Sequence, residues 1–393
     1  MTIQHAATTF ERLGVDPRLA KELKDQGILA PFPVQALTIP DGIAGRDVCG
    51  KAKTGSGKTL AFGIPLLMRV DKSMAGSPAG LVLVPTRELA QQVHEVLLPL
   101  AESVERRTVA VYGGADVESQ TKRLKKGCDV VIATPGRLID LIDRGDVSVA
   151  RVEAVVIDEA DRMGDMGFLP QVDWILRRIE TVHQTMLFSA TLDGDVNRLV
   201  KRHLNDPVLH HVESPTTTVE SMEHRFLQVH EMDKVKVAAA IARNAGKALL
   251  FVRTKRGADK LVMQLRKEGL RASAIHGDLR QAVREKALDD FSKGKLPALV
   301  ATDVAARGLD IEDVDVVVHF DPPEDHKAYL HRSGRTARAG DSGVVATLVL
   351  WNQVPEVERI QKRLALSLPI VEVFSNNPHL ADLAAWRFDE GAA

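Results

Sequence analysis

A glycine-rich stretch in the first sixty residues combines residue types that bind phosphate. It consists of Ala52-Lys53-Thr54-Gly55-Ser56-Gly57-Lys58-Thr59, after an apolar step at Val48 and Cys49 and before a helical run. In such a strand, turn and helix, the glycines let backbone N–H groups surround phosphate oxygens, and the helix N-terminus adds partial positive charge. Lys58 is predicted to reach the β and γ phosphates, and the Thr59 hydroxyl to ligate Mg²⁺. The stretch therefore predicts a site for a nucleoside triphosphate and Mg²⁺.

The match is to the looser form of this phosphate loop, because its first position is Ala52 rather than glycine. Such a pattern arises by chance in about one protein in thirty. On this stretch alone, a glycine-rich turn that binds no ligand stays open as the alternative.

A second chemical signal is an acidic group at the end of an apolar run, Val155-Val156-Ile157-Asp158-Glu159-Ala160-Asp161. A buried strand that ends here delivers Asp158 to the edge where ligands bind in open α/β sheets. Asp158 is predicted to hold Mg²⁺ through water, and Glu159 to orient or deprotonate the attacking water. The alternative is that these acids only cap the next helix. Phosphate loop and acidic strand together favour nucleotide hydrolysis.

The elements that position these residues follow from the hydrophobic pattern. Apolar runs alternate with helical segments, which favours an α/β chain whose mostly parallel sheets carry helices on both faces. Strands are predicted at 80–84, 108–112, 129–133, 154–157 and 185–188, and again at 247–252, 272–275, 298–301, 314–320 and 344–350. Prolines and threonines without periodicity predict a linker between the halves. We expect domains at 1–206 and 223–370, a linker at 207–222 and a short tail at 371–393.

Composition sets limits on partners and compartment. The 52 basic residues nearly cancel the 53 acidic ones, so a polyanion must be held by locally arranged groups rather than by net charge. The two cysteines are too few for a disulfide framework or a zinc cluster. No apolar stretch approaches the roughly 18 residues that span a bilayer, and the first residues lack a signal-peptide layout. We expect a cytoplasmic protein without a membrane partner.

Beyond the loop and the acids, the chain resembles the DEAD-box ATP-dependent RNA helicases of superfamily 2, in a bacterial-type core with a short tail. Asp158-Glu159-Ala160-Asp161 gives the family its name, and the resemblance covers about residues 10 to 365. The other shared motifs stand in the family's order: Pro85-Thr86-Arg87-Glu88-Leu89-Ala90, Gly113-Gly114, Thr134-Pro135-Gly136-Arg137, Ser189-Ala190-Thr191, Phe251 to Thr254, Gln281 with Arg284, Ala301-Thr302-Asp303, Arg307-Gly308-Leu309-Asp310 and the run from His331 to Arg338.

The resemblance implies two tandem RecA-like domains that face each other, with ATP and Mg²⁺ between them. Gln35 looks like the family's adenine-reading glutamine, since an amide can satisfy both N6 and N7 of adenine. Asp310 resembles the acid that holds the ribose. Arg335 and Arg338 resemble arginine fingers that act on the γ-phosphate. The implied nucleotide contacts are Phe10, Gln35, Ala52, Thr54, Gly55, Ser56, Gly57, Lys58, Thr59 and Asp310, and the catalytic set is Lys58, Asp158, Glu159, Arg335 and Arg338.

The resemblance also implies single-stranded RNA bound across both domains without reading of its sequence, because hydroxyls, arginines and backbone amides suit phosphate and sugar. The implied coupling residues are Ser189 and Thr191, which could bond the acids of the 158–161 loop. Two positions depart from the family, Ile28 where an aromatic is common and Phe32 where a small hydroxyl residue is usual. The implied RNA contacts are Thr86, Arg87, Gly114, Thr134, Arg137, Thr254, Arg284 and Thr302.

The predicted function is RNA-stimulated ATP hydrolysis that locally unwinds short RNA duplexes or remodels ribonucleoprotein. An ATP-gated RNA clamp or assembly factor with little strand separation stays open, because its sites are identical. A DNA-translocating helicase of the same superfamily is a second alternative. Ribosomal or RNA-decay proteins are candidate partners, and the sequence names neither the RNA nor the pathway.

Overall fold

The computed structural model describes residues 9–52, 56–192, 194–211, 222–306, 311, 314–336 and 343–386. The chain divides into two compact units, Met1–Ser214 and Pro215–Ala393, and each is described by itself.

The first unit is a seven-stranded sheet with helices on both faces. Its strands are all parallel and lie in the order β3-β4-β2-β5-β6-β1-β7. The elements are α1 Pro17–Asp25, α2 Pro33–Ile43, β1 Val48–Lys51, α3 Lys58–Arg69, β2 Gly80–Leu83, α4 Arg87–Ser103, β3 Thr108–Val111, α5 Val117–Lys125, β4 Val130–Ala133, α6 Pro135–Asp143, β5 Ala154–Asp158, α7 Ala160–Asp165, α8 Leu169–Leu176, β6 Gln184–Ser189, α9 Gly194–His203 and β7 Val208–His211.

The second unit repeats this architecture. Its seven strands are parallel and lie in the order β10-β11-β9-β12-β13-β8-β14, which is the same topology as the first sheet with every strand number raised by seven. The elements are β8 Met222–Gln228, α10 Lys234–Asn244, β9 Ala248–Val252, α11 Lys255–Lys267, β10 Ala272–Ile275, α12 Gln281–Ser292, β11 Ala298–Thr302, α13 Asp303–Ala306, β12 Val316–His319, α14 His326–Ser333, β13 Gly343–Val349, α15 Val354–Arg363 and β14 Ile370–Glu372.

Both faces of each sheet are buried, which is why the central strands are apolar without interruption. On β5 of the first unit, Val156 joins the core beneath α1 to α4, whereas its neighbours Val155 and Ile157 join the core beneath α5 to α9. The second unit has the same two-sided packing, with Leu250 and Leu249 of β9 in different cores. Side chains alternate along a strand, so both faces need apolar residues.

The predicted linker at 207–222 differs from the structure at both of its ends. Strand β7 begins at Val208 and pairs with β1, and Met222 already belongs to β8. The buried carboxylate of Asp47 accepts hydrogen bonds from the backbone amides of Thr185, at 2.8 Å, and Asn205, at 2.7 Å. This carboxylate therefore fixes the chain that leads into β7 against the sheet.

The predicted tail at 371–393 is also corrected, because the described part of it packs on the second unit. Strand β14 pairs with β8, and Leu380, Leu383 and Trp386 are buried in the core beneath α10 and α11. The backbone amide and hydroxyl of Ser375 donate to the Asp233 carboxylate at 2.7 and 2.8 Å. Residues up to 386 therefore belong to the folded unit.

A buried histidine in the second unit leads to a pH-dependent stability. His319 of β12 is fully buried, with its Nδ1 3.1 Å from the Thr347 hydroxyl. Burial lowers the pKa of His319 well below its usual range, and Arg332 and His224 lower it further. An unfolded histidine titrates near pH ~6.5, so below that pH the unfolded state takes up a proton that the folded state refuses. We expect the free energy of unfolding to fall by up to about 1.4 kcal/mol per pH unit as the pH drops below that value.

Urea unfolding followed by tryptophan fluorescence between about pH 7 and pH 5 measures this slope. His319→Asn removes the titrating ring and keeps a side chain that can hydrogen-bond to Thr347, so its slope is expected to be shallower than that of the wild type. The exposed His230 of the same unit gives the matched control, His230→Asn, which should keep the wild-type slope. Equal slopes for the wild type and His319→Asn would contradict the assignment.

Among the described residues, no helix has both the length and the apolar character needed to cross a membrane.

Candidate nucleotide and RNA site

The carboxyl edge of the first sheet brings several of the predicted nucleotide residues together. Strands β5, β6 and β1 are neighbours, and they end at Asp158, Ser189 and Lys51. The buried Ala52 follows β1 directly, and its backbone amide donates to the Ser189 carbonyl at 3.0 Å. The start of the phosphate loop is therefore attached to the strand end that lies beside the acidic group.

Lys58 and Asp158 form a buried ion pair at this edge. The Lys58 Nζ lies 3.5 Å from the Asp158 Oδ1, and the two side chains are 6% and 4% exposed. Burial opposes the charge on Lys58, but the carboxylates of Asp158, Glu159 and Asp161 outweigh it and raise the pKa of the ammonium. Burial raises the pKa of Asp158, and Lys58 opposes that rise. We conclude that Lys58 stays charged at the first turn of α3, where a phosphate can replace Asp158 as its partner.

Glu159 lies in an uncommon backbone conformation and is held from one side. Its φ of 53° is in the left-handed region, which costs a residue with a Cβ about 1 to 2 kcal/mol. Arg162 Nη1 donates to Glu159 Oε2 at 2.7 Å, with both side chains less than a tenth exposed. Such strain is concentrated at functional sites. The Arg162 contact could not be predicted from the sequence, because acid and arginine three residues apart are common on exposed helices.

Ser189 and Thr191 both contact the end of the acidic group. The Ser189 hydroxyl accepts from the backbone amide of Asp161 at 3.1 Å, and the backbone amide of Thr191 donates to the Asp161 carboxylate at 3.2 Å. Ser189 thus hydrogen-bonds to the phosphate loop through its carbonyl and to the acidic loop, residues 158–161, through its hydroxyl. With this geometry, a movement of one loop can be transmitted through Ser189 to the other loop.

Gln35 lies beside the phosphate loop at the start of α2. Its Nε2 donates to the Gly57 carbonyl at 3.0 Å, and its Oε1 accepts from the backbone amide of Phe32 at 2.8 Å. An amide has two donor hydrogens and two acceptor lone pairs, so the buried Gln35 side chain, 1% exposed, keeps one of each beyond these two bonds. Gly57 has φ 85°, and a Cβ there would lie 2.5 Å from Gln35 Nε2. Only glycine fits this close approach.

Phe10 is placed differently from what the resemblance implied. Its ring is 3% exposed and belongs to the apolar core of the first unit, together with Leu19, Val34 and Ile39. It packs beneath α1 and α2 and is not displayed to a ligand. The predicted direct contact of Phe10 with the nucleotide therefore has no support in this arrangement.

The predicted RNA contacts of the first unit follow the three neighbouring strands β3, β4 and β2. Thr86 begins α4, and its hydroxyl accepts from the backbone amide of Leu89 at 3.3 Å. Arg137 donates to the Ala115 carbonyl at 3.3 and 3.2 Å. The Arg87 guanidinium lies against Gly114, so closely that a Cβ there would collide with it. Thr134 begins α6, directly after β4. These residues form one polar group at the same sheet edge as the nucleotide residues.

The second unit places its predicted RNA contacts at equivalent positions. Thr254 follows β9 and begins α11, and its hydroxyl accepts from the Gly257 amide at 3.0 Å, which matches the role of Thr86 after β2. Thr302 ends β11, the counterpart of β4. Arg284 lies in α12 and is 5% exposed. Two equivalent pairs of strand ends, β2 with β9 and β4 with β11, therefore carry threonines in both units.

One ion pair of the second unit was not found from the sequence. Arg332 of α14 donates to both carboxylate oxygens of Asp303, at 2.6 and 2.7 Å, and to the Asp321 carbonyl at 2.7 Å. This bidentate pair anchors α14 to the ends of β11 and β12, two residues before the turn that carries Arg335. The partners are 29 positions apart in the sequence, which hides the pair from local sequence patterns.

Four predicted site residues lie outside the described part of the chain: Thr54, Gly55, Asp310 and Arg338. Of the others, Ser56 and Thr59 are half-buried beside Lys58, and Arg335 is half-buried, with its carbonyl accepting from the Val314 amide at 3.4 Å. Within the described residues, no group of three or more His, Cys, Asp or Glu could hold a metal ion.

A parallel sheet with a phosphate loop, an acidic strand end and a second unit of identical topology defines a tandem RecA-like ATPase. Family models agree with the site: residues 32–199 match the DEAD/DEAH box helicase domain and residues 231–340 match the helicase conserved C-terminal domain. Each matched segment lies within one of the two units of the structure.

Similar proteins and solved structures also indicate an RNA helicase. The chain is 42% identical over 357 residues to the DEAD-box ATP-dependent RNA helicase CshA of Geobacillus kaustophilus, which covers 90% of this chain and 76% of that protein. It is 41% identical to the ATP-dependent RNA helicase CshA of Listeria monocytogenes, over 87% of this chain and 66% of that protein. The structure of Saccharomyces cerevisiae Dbp5 bound to RNA and ADP BeF3 superposes with a TM-score of 0.79 at 29% identity, covering 94% of this chain and 96% of that one.

The chain belongs to the DEAD-box family of ATP-dependent RNA helicases. Its nucleotide is ATP, its nucleic acid is RNA, and the predicted tandem RecA-like fold is confirmed.

Proposed function

We propose that this chain hydrolyses ATP when RNA is bound and uses the cycle to separate short RNA duplexes. The observation that carries the proposal is the position of Ser189, which contacts the phosphate loop through Ala52 and the acidic loop through Asp161. A change in phosphate state at one loop thereby reaches the other. The polar group of Thr86, Arg87 and Arg137 lies along the same edge of the same sheet.

The residues of the first unit divide the chemistry between them. Lys58 pairs with the β and γ phosphate oxygens, and Gly57 lets the backbone approach them. We assign Mg²⁺ to the Thr59 hydroxyl and the Asp158 carboxylate, because oxygen donors are the ligands that Mg²⁺ prefers. When bound, Mg²⁺ neutralises charge on the phosphate oxygens. Glu159, held by Arg162 at 2.7 Å, orients the attacking water and accepts its proton.

The second unit is proposed to contribute positive charge at the nucleotide and contacts to RNA. We propose that Arg335 and Arg338 stabilise charge on the γ-phosphate, and that Asp310 holds the ribose. Thr254, Arg284 and Thr302 contact RNA phosphates and sugars in the second unit, as Thr86, Arg87, Gly114, Thr134 and Arg137 do in the first. Such contacts carry no sequence information, so binding is expected to be independent of RNA sequence.

The state of the two cysteines bears on the compartment in which the protein works. Cys49 and Cys128 are free and buried, and burial raises the pKa of Cys49 to about 11. Unreactive buried thiols suit a reducing cytoplasm. We propose a cytoplasmic role on RNA, with ribosomal or RNA-decay proteins as partners.

ATP hydrolysis measured with no nucleic acid, with single-stranded RNA and with single-stranded DNA of equal length tests the proposal. RNA is expected to raise the rate severalfold and DNA much less. Equal rates with and without RNA, in a preparation free of nucleic acid, would count against the proposal. Equal stimulation by DNA would favour the DNA-translocating alternative.

A strand-displacement assay on a short RNA duplex separates unwinding from clamping. We expect displacement that requires ATP and that Lys58→Ala abolishes. RNA held tightly in the presence of ATP without any displacement would instead support the clamp.

A further inference from the structure

An exposed aromatic ring borders the nucleotide site without an assigned role. Phe32 is 58% exposed although phenylalanine is among the more often buried residue types. It precedes Pro33, the first residue of α2, and its ring lies against the phosphate loop: a Cβ on Gly57 would be 2.6 Å from the Phe32 Cδ2. The ring therefore borders both the loop and solvent.

The ring is part of one cluster with the adenine-reading amide. The backbone amide of Phe32 donates to Gln35 Oε1 at 2.8 Å, and Gln35 Nε2 donates to the Gly57 carbonyl at 3.0 Å. The cluster thus places an exposed π face next to a buried amide that retains one donor and one acceptor. A flat heteroaromatic base has the matching features, a π face and a hydrogen-bonding edge.

The other apolar side chains of this segment do not offer the same surface. Ile28 is half-buried and packs against the apolar core. Leu29 is 68% exposed but has no π face. Gly57 directly precedes Lys58 and α3, so the ring lies within one residue of the lysine expected to bind phosphate.

We propose that Phe32 supplies the face on which the adenine of ATP stacks, while Gln35 reads its edge. The proposal rests on the proposed function, because it takes the loop at Lys58 as the phosphate site. Stacking on an aromatic side chain contributes to binding of the base and not to the chemistry at the γ-phosphate. Loss of the ring is expected to weaken ATP binding about tenfold or more.

Binding of ATP and of inorganic tripolyphosphate, each with Mg²⁺, to Phe32→Ala, Phe32→Trp and the wild type tests the proposal. Phe32→Ala should raise the Kd and KM for ATP, leave the Kd for tripolyphosphate unchanged and keep kcat at saturating ATP. Phe32→Trp should restore ATP affinity, and ATP but not tripolyphosphate should quench its added tryptophan fluorescence. Leu29→Ala, a neighbouring exposed apolar residue, is the control and should change neither affinity.

Three results would overturn the proposal. Unchanged ATP affinity in Phe32→Ala would show that the ring does not touch the base. Equal weakening of ATP and tripolyphosphate would show that the ring only shapes the loop. If Phe32→Ala did not fold, a Phe32→Trp variant whose fluorescence does not respond to ATP would exclude stacking. Failure of the proposed function is a separate outcome, in which the wild type binds neither ATP nor tripolyphosphate.

Discussion

Lys58→Ala is expected to lower ATP turnover at least about a hundredfold, the typical cost of removing a charged or hydrogen-bonding group aimed at the reacting atoms. The side chain is 6% exposed and is the cation that sits 3.5 Å from Asp158 at the start of α3. Without it, the phosphates lose a buried positive partner. Asp158 also loses the group that opposes the burial-driven rise of its pKa, so its carboxyl takes up a proton more readily.

Steady-state ATPase assays with saturating RNA, together with thermal unfolding, measure this effect. Lys72→Ala is the matched control, because the Lys72 ammonium forms an exposed pair 2.7 Å from the Glu105 carboxylate. The control should keep wild-type turnover. Wild-type turnover in Lys58→Ala would remove the assignment of the phosphate site.

Arg335→Ala and Arg338→Ala are expected to lower kcat by about 10³ to 10⁵, the range that arginine fingers contribute in other phosphoryl-transfer enzymes. The affinity for ATP should change little, because these arginines are proposed to act when charge develops on the γ-phosphate. The Arg332 bond to Asp303 anchors the helix just before Arg335, so the backbone at this turn should survive the change.

Whether a substitution lowers kcat or weakens ATP affinity decides the role of these arginines. Arg335→Lys keeps the charge and loses the planar fork, so it should recover only part of the rate. Arg359→Ala, on an exposed face of α15, should behave as the wild type. A loss of ATP or RNA affinity in Arg335→Ala with kcat unchanged would reassign the residue to binding.

The central strands of both units could be predicted from sequence because they are buried on both faces. The run predicted at 80–84 corresponds to β2 at Gly80–Leu83, and that at 298–301 to β11 at Ala298–Thr302. The helicase family was also recognisable, because its motifs stand in order over most of the chain.

Strands β7 and β8 could not be predicted, since polar residues interrupt their apolar pattern. Strand β7 has two histidines among its four residues and is half-exposed. Strand β8 contains His224 and Arg225, which become buried through tertiary contacts: the Tyr329 hydroxyl lies 2.7 Å from His224 Nδ1, and the Leu383 carbonyl accepts from Arg225 at 3.0 Å. Neither partner is near in sequence, so the local pattern predicted no strand at these residues.

At the edge of the first sheet, several residues predicted from sequence lie close together, but the contacts that hold them could not be predicted. The bond of Arg162 to Glu159, the bidentate pair of Arg332 with Asp303 and the amide of Gln35 bound to the Gly57 carbonyl are all products of three-dimensional approach. Phe10 has the spacing of the family's isolated aromatic residue, but its side chain packs in the apolar core.

The coupling of ATP to RNA is tested most directly by measuring each affinity with and without the other ligand. RNA affinity is measured with and without a non-hydrolysable ATP analogue, and analogue affinity with and without RNA. If the loops joined by Ser189 link the two ligands, both affinities must tighten by the same factor, of order fivefold to 150-fold. If neither affinity responds to the other ligand, nucleotide and RNA bind independently and the proposed coupling is wrong.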